Sequence, residues 1–211
     1  VFDAMDAGAV DFVTKPDLQS ANSVETFIDK LIIKIKIAST ANVSHWKAYN
    51  VPQKVISRVN TGTSSKIIAI GASTGGTEAI YNILKCLPES APGIVIVQHI
   101  PPIFSRMFAN RLNNSTQLQV KEASTGDYVE RGRVLIAPGD EHMIIKKVGY
   151  KYKVECFKGD KVNGHCPSVD VLFESVAKEA GSEAIGIILT GMGYDGAKGL
   201  LSMRKKGART I

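Results

Sequence analysis

Three short apolar runs constrain this chain more than any other feature. They are Lys66-Ile67-Ile68-Ala69-Ile70-Gly71-Ala72, Ile94-Val95-Ile96-Val97-Gln98 and Ala184-Ile185-Gly186-Ile187-Ile188-Leu189-Thr190. Polar residues do not alternate along them, so each reads as a strand buried on both faces. Each is followed by a helical pattern, near 76–86, 103–113 and 196–206. Further strands are expected near 118–122, 133–137, 142–147 and 151–157, and a helix near 168–180. Strands alternating with helices predict an α/β fold: a doubly wound, mostly parallel sheet with flanking helices. The Lys-rich stretch 142–157, broken by Gly149-Tyr150, predicts an added antiparallel hairpin.

Length and charge narrow the class. The 211 residues suffice for one substantial domain and a small appendage, and 44% of them are apolar, enough to bury a core. The net charge is +6. A basic excess can steer acidic partners. Here no long basic run concentrates it: Lys146, Lys147, Lys151 and Lys153 are spread over the hairpin. The excess reads as a solvated surface, and nucleic acid is not an expected partner. Cys86, Cys156 and Cys166 are odd in number and have no CxxC spacing, which points to a reducing, cytoplasmic compartment. No apolar run approaches the ~20 residues needed to span a bilayer, so membrane insertion is not expected. No secretory signal is visible, although the chain starts at Val1 and not at Met.

Residues 1–38 read as a first unit. It comprises a helix end over Val1–Ala9, a strand at Val10-Asp11-Phe12-Val13-Thr14 ended by Lys15-Pro16, and a helix from Ser23 to Ile37. That helix carries Val24, Phe27, Ile28, Leu31, Ile32 and Ile35 on one face. Residues 39–64, rich in Ser, Thr and Asn and holding Trp46, read as an interdomain linker. Residues 65–211 are the main α/β domain. The helix end at the front and the incipient strand Gly207-Ala208-Arg209-Thr210-Ile211 suggest an internal fragment of a longer protein.

Parallel strands point the same way, so the residues just past them share one crevice. Here those residues are Ser73, His99 and Asp195, the hydroxyl, imidazole and carboxylate of a serine hydrolase. Gly71-Ala72-Ser73-Thr74-Gly75-Gly76 fits the G-x-S-x-G turn, which pushes the hydroxyl outward at a helix N-terminus that favours negative charge. Thr77-Glu78 follows it, so it is not a P-loop. A turn that binds an anion or nucleotide, or only closes a βα corner, fits the same residues. His99 lies between a buried strand and Ile100-Pro101-Pro102. Such a histidine is often structural, yet a neighbouring strand end lets it reach the serine proton. Asp195, in Thr190-Gly191-Met192-Gly193-Tyr194-Asp195-Gly196, either caps the helix that follows or holds the His99 tautomer. The order Ser, His, Asp is not that of α/β-hydrolases. Asp140, His142, His165 and Asp170 lack tight metal-ligand spacing, and no metal site is expected. Asp140 reads as a turn residue, Ser168 as a helix N-cap and Glu78 as a charge complement to its helix N-terminus.

Five motifs, in order, resemble the bacterial chemotaxis protein-glutamate methylesterase (CheB) family. They are Ile-Gly-Ala-Ser73-Thr-Gly-Gly, Gln-His99-Ile-Pro, Ile-Ala-Pro-Gly-Asp140-Glu-His142-Met, Pro167-Ser-Val-Asp170-Val-Leu-Phe and Leu-Thr-Gly-Met-Gly-Tyr-Asp195-Gly, and they cover nearly all of residues 65–211. The stretch Ala7–Pro16 resembles the end of that family's response-regulator receiver domain, with Lys15 at the phosphate-sensing position. The resemblance implies Ser73 as nucleophile, His99 as general base and acid, Asp195 as orienting carboxylate, and backbone N–H groups at Thr74 and Met192 as the oxyanion site. It implies hydrolysis of glutamyl γ-methyl esters on the cytoplasmic helices of methyl-accepting chemoreceptors, and deamidation of glutamine by the same site. It further implies no cofactor, and a chemotaxis histidine kinase as partner of the intact receiver. A non-catalytic anion- or nucleotide-binding module, or a receptor-binding scaffold, is the alternative. The receiver's acidic pocket and phosphoacceptor aspartate are not in this sequence, so regulation by its own phosphorylation is not expected. The family's catalytic domain also continues past the Gly-Ala-Arg-Thr-Ile stretch, so its C-terminal end is expected to be missing.

Overall fold

The computed structural model describes residues 1, 4, 7–16, 21–40 and 66–211. The chain divides into two units, Val1–Val55 and Ile56–Ile211, each described by itself. In the first, helix α1 spans Ala21–Thr40. Phe27 and Leu31 are half-buried on it, while Val24, Ile28, Ile32 and Ile35 are exposed. The strand expected at Val10–Thr14 is not formed. A strand needs a neighbour to complete its ladder, and among the described residues of this unit there is none. Asp11 instead fixes the segment, accepting from the Phe12 N–H at 2.7 Å and from the Lys34 ammonium at 2.7 Å. Lys15 is exposed. Of the helix end expected over Val1–Ala9, Ala4 is helical and its carbonyl accepts from the Ala9 N–H at 2.8 Å; residues 2, 3, 5 and 6 lie outside the described residues. So do residues 41–65, which hold Trp46 and nearly all of the expected linker.

The second unit carries the α/β pattern. Its elements are β1 (Ile67–Ala72), α2 (Gly76–Leu84), β2 (Gly93–Gln98), α3 (Pro102–Ser115), β3 (Gln119–Glu122), β4 (Tyr128–Val129) and β5 (Arg133–Ile136). There follow β6 (His142–Val148), β7 (Lys151–Phe157), α4 (Val169–Glu179), β8 (Ala184–Ile188), α5 (Ala197–Lys205) and β9 (Arg209–Thr210). Six strands form a parallel sheet in the order β3-β5-β2-β1-β8-β9. The expected hairpin is β6–β7, extended by β4 into a small antiparallel sheet.

Burial explains the layering. Every residue of β2 is buried, and side chains alternate between its faces. Ile67, Ala69, Val95, Val97 and Leu135 join one core with Leu172, Phe173 and Val176 of α4 and with Met143, Ile145, Tyr152 and Val154 of the small sheet. Helix α4 thus packs between the two sheets. The alternate positions Ile70, Ile94, Ile96 and Ile136 are fully buried, as are Ile80 and Leu84 of α2 and Phe108 and Leu112 of α3. Each such side chain contributes about 1.5–3 kcal/mol by leaving water. From β1 the chain crosses to β2 on one side, and later returns to β8 on the other. The strand order therefore reverses at β1, and the crevice beyond its carboxyl end is where parallel sheets of this kind bind ligands.

Candidate active site

Backbone hydrogen bonds lace three strand ends together around Ser73. The Ser73 N–H donates to the Thr190 carbonyl at 3.0 Å, Leu189 N–H to the Gly71 carbonyl at 2.9 Å, and His99 N–H to the Ala72 carbonyl at 3.2 Å. Two glycines permit this closeness. A Cβ at Gly191 would lie 2.7 Å from the Ser73 Cβ, and one at Gly71 would collide with the Val169 side chain. Glycine at 71 therefore lets the first turn of α4 seat against β1. The Ser73 carbonyl is held by the Gly76 N–H and by Gln98 Nε2, both at 2.8 Å, and Gln98 is buried.

Ser73, His99 and Asp195 come together. All three line one cavity of about 100 Å³ with Ala72, Thr190 and Met192. That is room for the end of one side chain, not for a drug-sized ligand, whose sites run to roughly 300 Å³ or more. His99 Nε2 donates to Asp195 Oδ2 at 2.9 Å, and its Nδ1 is buried with no partner. With Asp195 ionised, Nε2 is the donor of this pair, because a carboxylate only accepts. No hydrogen bond joins Ser73 to His99 here; catalytic hydrogen bonds commonly tighten only in the substrate complex.

Asp195 is buried, and burial alone pushes its pKa up; hydrogen bonds from His99, Ser168, Asn163 and the Val169 N–H outweigh that and hold it below the usual carboxylate range. Oδ1 accepts from Ser168 Oγ at 2.7 Å, Asn163 Nδ2 at 3.0 Å and the Asp170 N–H at 3.2 Å, and Oδ2 also accepts from the Val169 N–H at 2.7 Å. The capping alternative is thus resolved with a correction. Asp195 does not cap α5, which follows it and starts after Gly196 with no side-chain cap. It satisfies the N-terminus of α4, where free N–H groups and the helix dipole stabilise an anion.

Ser168 is the N-cap of α4, its Oγ accepting from the Val171 N–H at 3.4 Å. Asp140 lies in a turn with φ 59°, and Glu78 accepts from Asn82 and pairs with Arg111 at 3.7 Å. Among the described residues, no protein acceptor engages the N–H of Thr74 or of Met192; Met192 lines the cavity, and Thr74 is buried beside Ser73. Sequence reasoning missed Asn163, and weighed His142, His165 and Asp170 only as metal ligands. Asn163 bridges Asp195 and Asp170, donating to Asp170 Oδ2 at 2.7 Å. Asp170 also accepts from the Gly199 N–H at 2.7 Å, tying α4 to α5. Buried His142 accepts the Ser168 N–H on Nδ1 at 3.2 Å and meets the Asp160 carbonyl through Nε2 at 2.9 Å. His165 stacks on His99. The visible signals were the turn dipeptide Asn163-Gly164 and the N-cap at Ser168.

Comparison with known proteins bears on the family and the fold. Residues 68–211 match the CheB methylesterase family. The protein-glutamate methylesterase/protein-glutamine glutaminase 2 of Syntrophomonas wolfei is 54% identical over 211 residues, which is all of this chain and 61% of that protein. The corresponding Escherichia coli K12 protein is 47% identical over 211 residues, covering 99% of this chain and 59% of its own length. This chain thus spans about three-fifths of the curated relatives it matches. The crystal structure of the Thermotoga maritima CheB methylesterase catalytic domain superposes with a TM-score of 0.68 at 42% identity, covering 70% of this chain and 79% of that one. With the family match extending over most of the α/β unit and relatives near half identity along the whole chain, this chain belongs to the CheB methylesterase family.

Proposed function

We propose that this chain carries the hydrolytic site of a protein-glutamate methylesterase that also deamidates glutamine. The observation that carries the reading is His99, anchored through Nε2 to an ionised Asp195 and lining the same cavity as Ser73. The substrate is a glutamyl γ-methyl ester on the cytoplasmic helices of a methyl-accepting chemoreceptor. Ser73 Oγ attacks the ester carbonyl as Nδ1 of His99 takes its proton. The N–H groups of Thr74 and Met192 receive the oxyanion, each worth ~2.7–4 kcal/mol in the transition state by analogy with other oxyanion donors. The tetrahedral intermediate collapses as His99 returns the proton to the methoxyl group, and methanol leaves. Water, deprotonated by His99, then cleaves the acyl-serine to glutamate and free Ser73. With glutamine the leaving group is ammonia. Asp195 keeps the imidazole in one tautomer and stabilises the imidazolium.

The same reading assigns residues 1–38 to the end of a receiver domain with Lys15 at its phosphate-sensing position, residues 39–64 to a linker, and residues 65–211 to the catalytic domain. It places the intact protein in the cytoplasm as a response regulator in a phosphorelay, partnered there by a chemotaxis histidine kinase. Among the described residues, no helix is long and apolar enough to cross a membrane. The family match favours hydrolysis over a non-catalytic binding module or scaffold.

The test is methanol release from methylated receptor membranes by this chain and by Ser73→Ala, with circular dichroism confirming that both are folded. Release that disappears with Ser73 is expected. Equal release by both, or none from the folded wild type, would overturn the assignment.

A further inference from the structure

His99 is held by one hydrogen bond, through Nε2. One bond fixes a direction but leaves the ring free to turn about it, because χ2 of histidine is a broad torsion. Nδ1 has no partner that would stop the turn. A second restraint must act on the plane of the ring, and the structure contains one. The His165 ring lies parallel to the His99 ring, with centroids 3.7 Å apart and planes within 4°.

His165 is itself carried by a rigid device. Val162 and His165 exchange two backbone hydrogen bonds of 3.0 Å, with φ 53° at Asn163 and φ 80° at Gly164. Two left-handed residues between a bonded pair are the pattern of a type I′ turn, for which Asn-Gly is the favoured dipeptide. The Asn163 side chain then ties this turn to Asp195 at 3.0 Å and to Asp170 at 2.7 Å. The carboxylate that orients His99 thus also anchors the turn that lays a second ring against it. Both restraints share one reference point, and they act on different degrees of freedom of the same imidazole.

We propose that His165 is a positioning residue for the hydrolysis: its flat face fixes the plane of His99, so that the imidazole meets the cavity it shares with Ser73 at one angle. The role rests on the reading of Ser73 and His99 as nucleophile and base. It requires a flat ring at position 165, not an imidazole. His165 is only half-buried, in a turn whose Val162 and Gly164 are exposed, so substitution there leaves the fold in place.

The test compares wild type, Ser73→Ala, His165→Phe and His165→Leu on a peptide carrying glutamate γ-methyl ester. The His99 ring protons are followed by NMR in the same chains. In His165→Leu, kcat falls about 10- to 100-fold, the scale of a small misplacement of a catalytic group, with KM within about 3-fold. His165→Phe restores kcat to within about 3-fold of wild type. The His99 ring protons carry an upfield ring-current shift in wild type and His165→Phe, and lose it in His165→Leu. A Leu variant with wild-type kcat, equal impairment of the Phe and Leu variants, or His99 signals unmoved by His165→Leu would each overturn the proposal. If wild type shows no Ser73-dependent hydrolysis, the hydrolase reading fails, and the NMR comparison still decides whether His165 fixes the His99 ring.

Discussion

Replacing Ser168 by alanine removes two hydrogen bonds at once. The side chain is fully buried and donates to Asp195 Oδ1 at 2.7 Å, while accepting from the Val171 N–H at 3.4 Å. A hydrogen bond to a charged group contributes about 1.5–3 kcal/mol, and an N-cap typically ~1 kcal/mol, less for a contact this long. The expected loss of stability at pH 7 is about 2–3 kcal/mol, or roughly 5–10 °C in Tm for a chain of this size. Its pH dependence identifies the cause. Asp195 is held below the carboxylate range when folded, so its contribution is complete above the unfolded value of about 3.9 and is lost as pH falls through the folded pKa. Removing one donor raises the folded pKa of the variant. Titration of the unfolded state is common to both chains and cancels, so the stability gap between wild type and Ser168→Ala is constant while Asp195 is ionised in both folded states, and narrows as pH falls through the variant's folded pKa. Urea unfolding of both chains from pH 7 down to pH 3 measures the gap. A gap under about 0.5 kcal/mol at pH 7, or one that widens on acidification, would refute the reasoning.

Other consequences follow from single contacts. Gly191→Ala puts a methyl group 2.7 Å from the Ser73 Cβ; kcat/KM for ester hydrolysis should drop by about 10²-fold while circular dichroism stays unchanged, and an active variant would disprove the crowding. Phe173→Ala hollows the core between the two sheets, where Phe173 is fully buried, at an expected ~3–5 kcal/mol in urea unfolding; a cost under about 1 kcal/mol would mean that α4 collapses into the space. Burial first, then the carboxylates Glu141, Asp127 and Glu122, push the Cys156 thiol up to about 12, which leaves only about 10⁻⁴ of it as thiolate at pH 8. Alkylation mapped by mass spectrometry should reach the exposed Cys86 well before Cys156, and the reverse order would contradict this burial.

The parallel sheet was legible because β1, β2 and β8 are apolar on both faces, a pattern that exposed antiparallel strands do not show. Strand β4, Tyr128–Val129, is too short to show any period. The segment Val10–Thr14 failed for a different reason. An apolar stretch bounded by Lys15-Pro16 has strand composition, but composition says nothing about whether a neighbouring strand exists to accept its hydrogen bonds. Ser73 and His99 were legible because each sits immediately past a strand whose direction the parallel rule sets. Asp195 was located as surely, but its partners were not. They come from residues 163–170, some 25 to 32 positions away along the chain, and nothing local to either segment announces the meeting.

That meeting decides the chemistry. A buried carboxylate beside a histidine can end up neutral, because removing an ion from water costs several kcal/mol. A protonated Asp195 would no longer demand a donor from His99, and the imidazole could take either tautomer. Here the cost of burial is offset by donors that are present whether or not His99 is: Ser168 Oγ, Asn163 Nδ2 and the N–H groups of Val169 and Asp170. The charge therefore belongs to the scaffold and is not created by the pair. An ionised Asp195 accepts from His99 Nε2, and Nδ1 is the ring nitrogen left to the proposed base role. The scaffold itself depends on glycine at 71, which lets Val169 seat α4 against β1, and on Ser168, which starts the helix at that point. The charge of Asp195 thus depends on where α4 begins, and moving that helix start by one residue would withdraw the donors from Asp195 without touching any member of the Ser73, His99 and Asp195 trio.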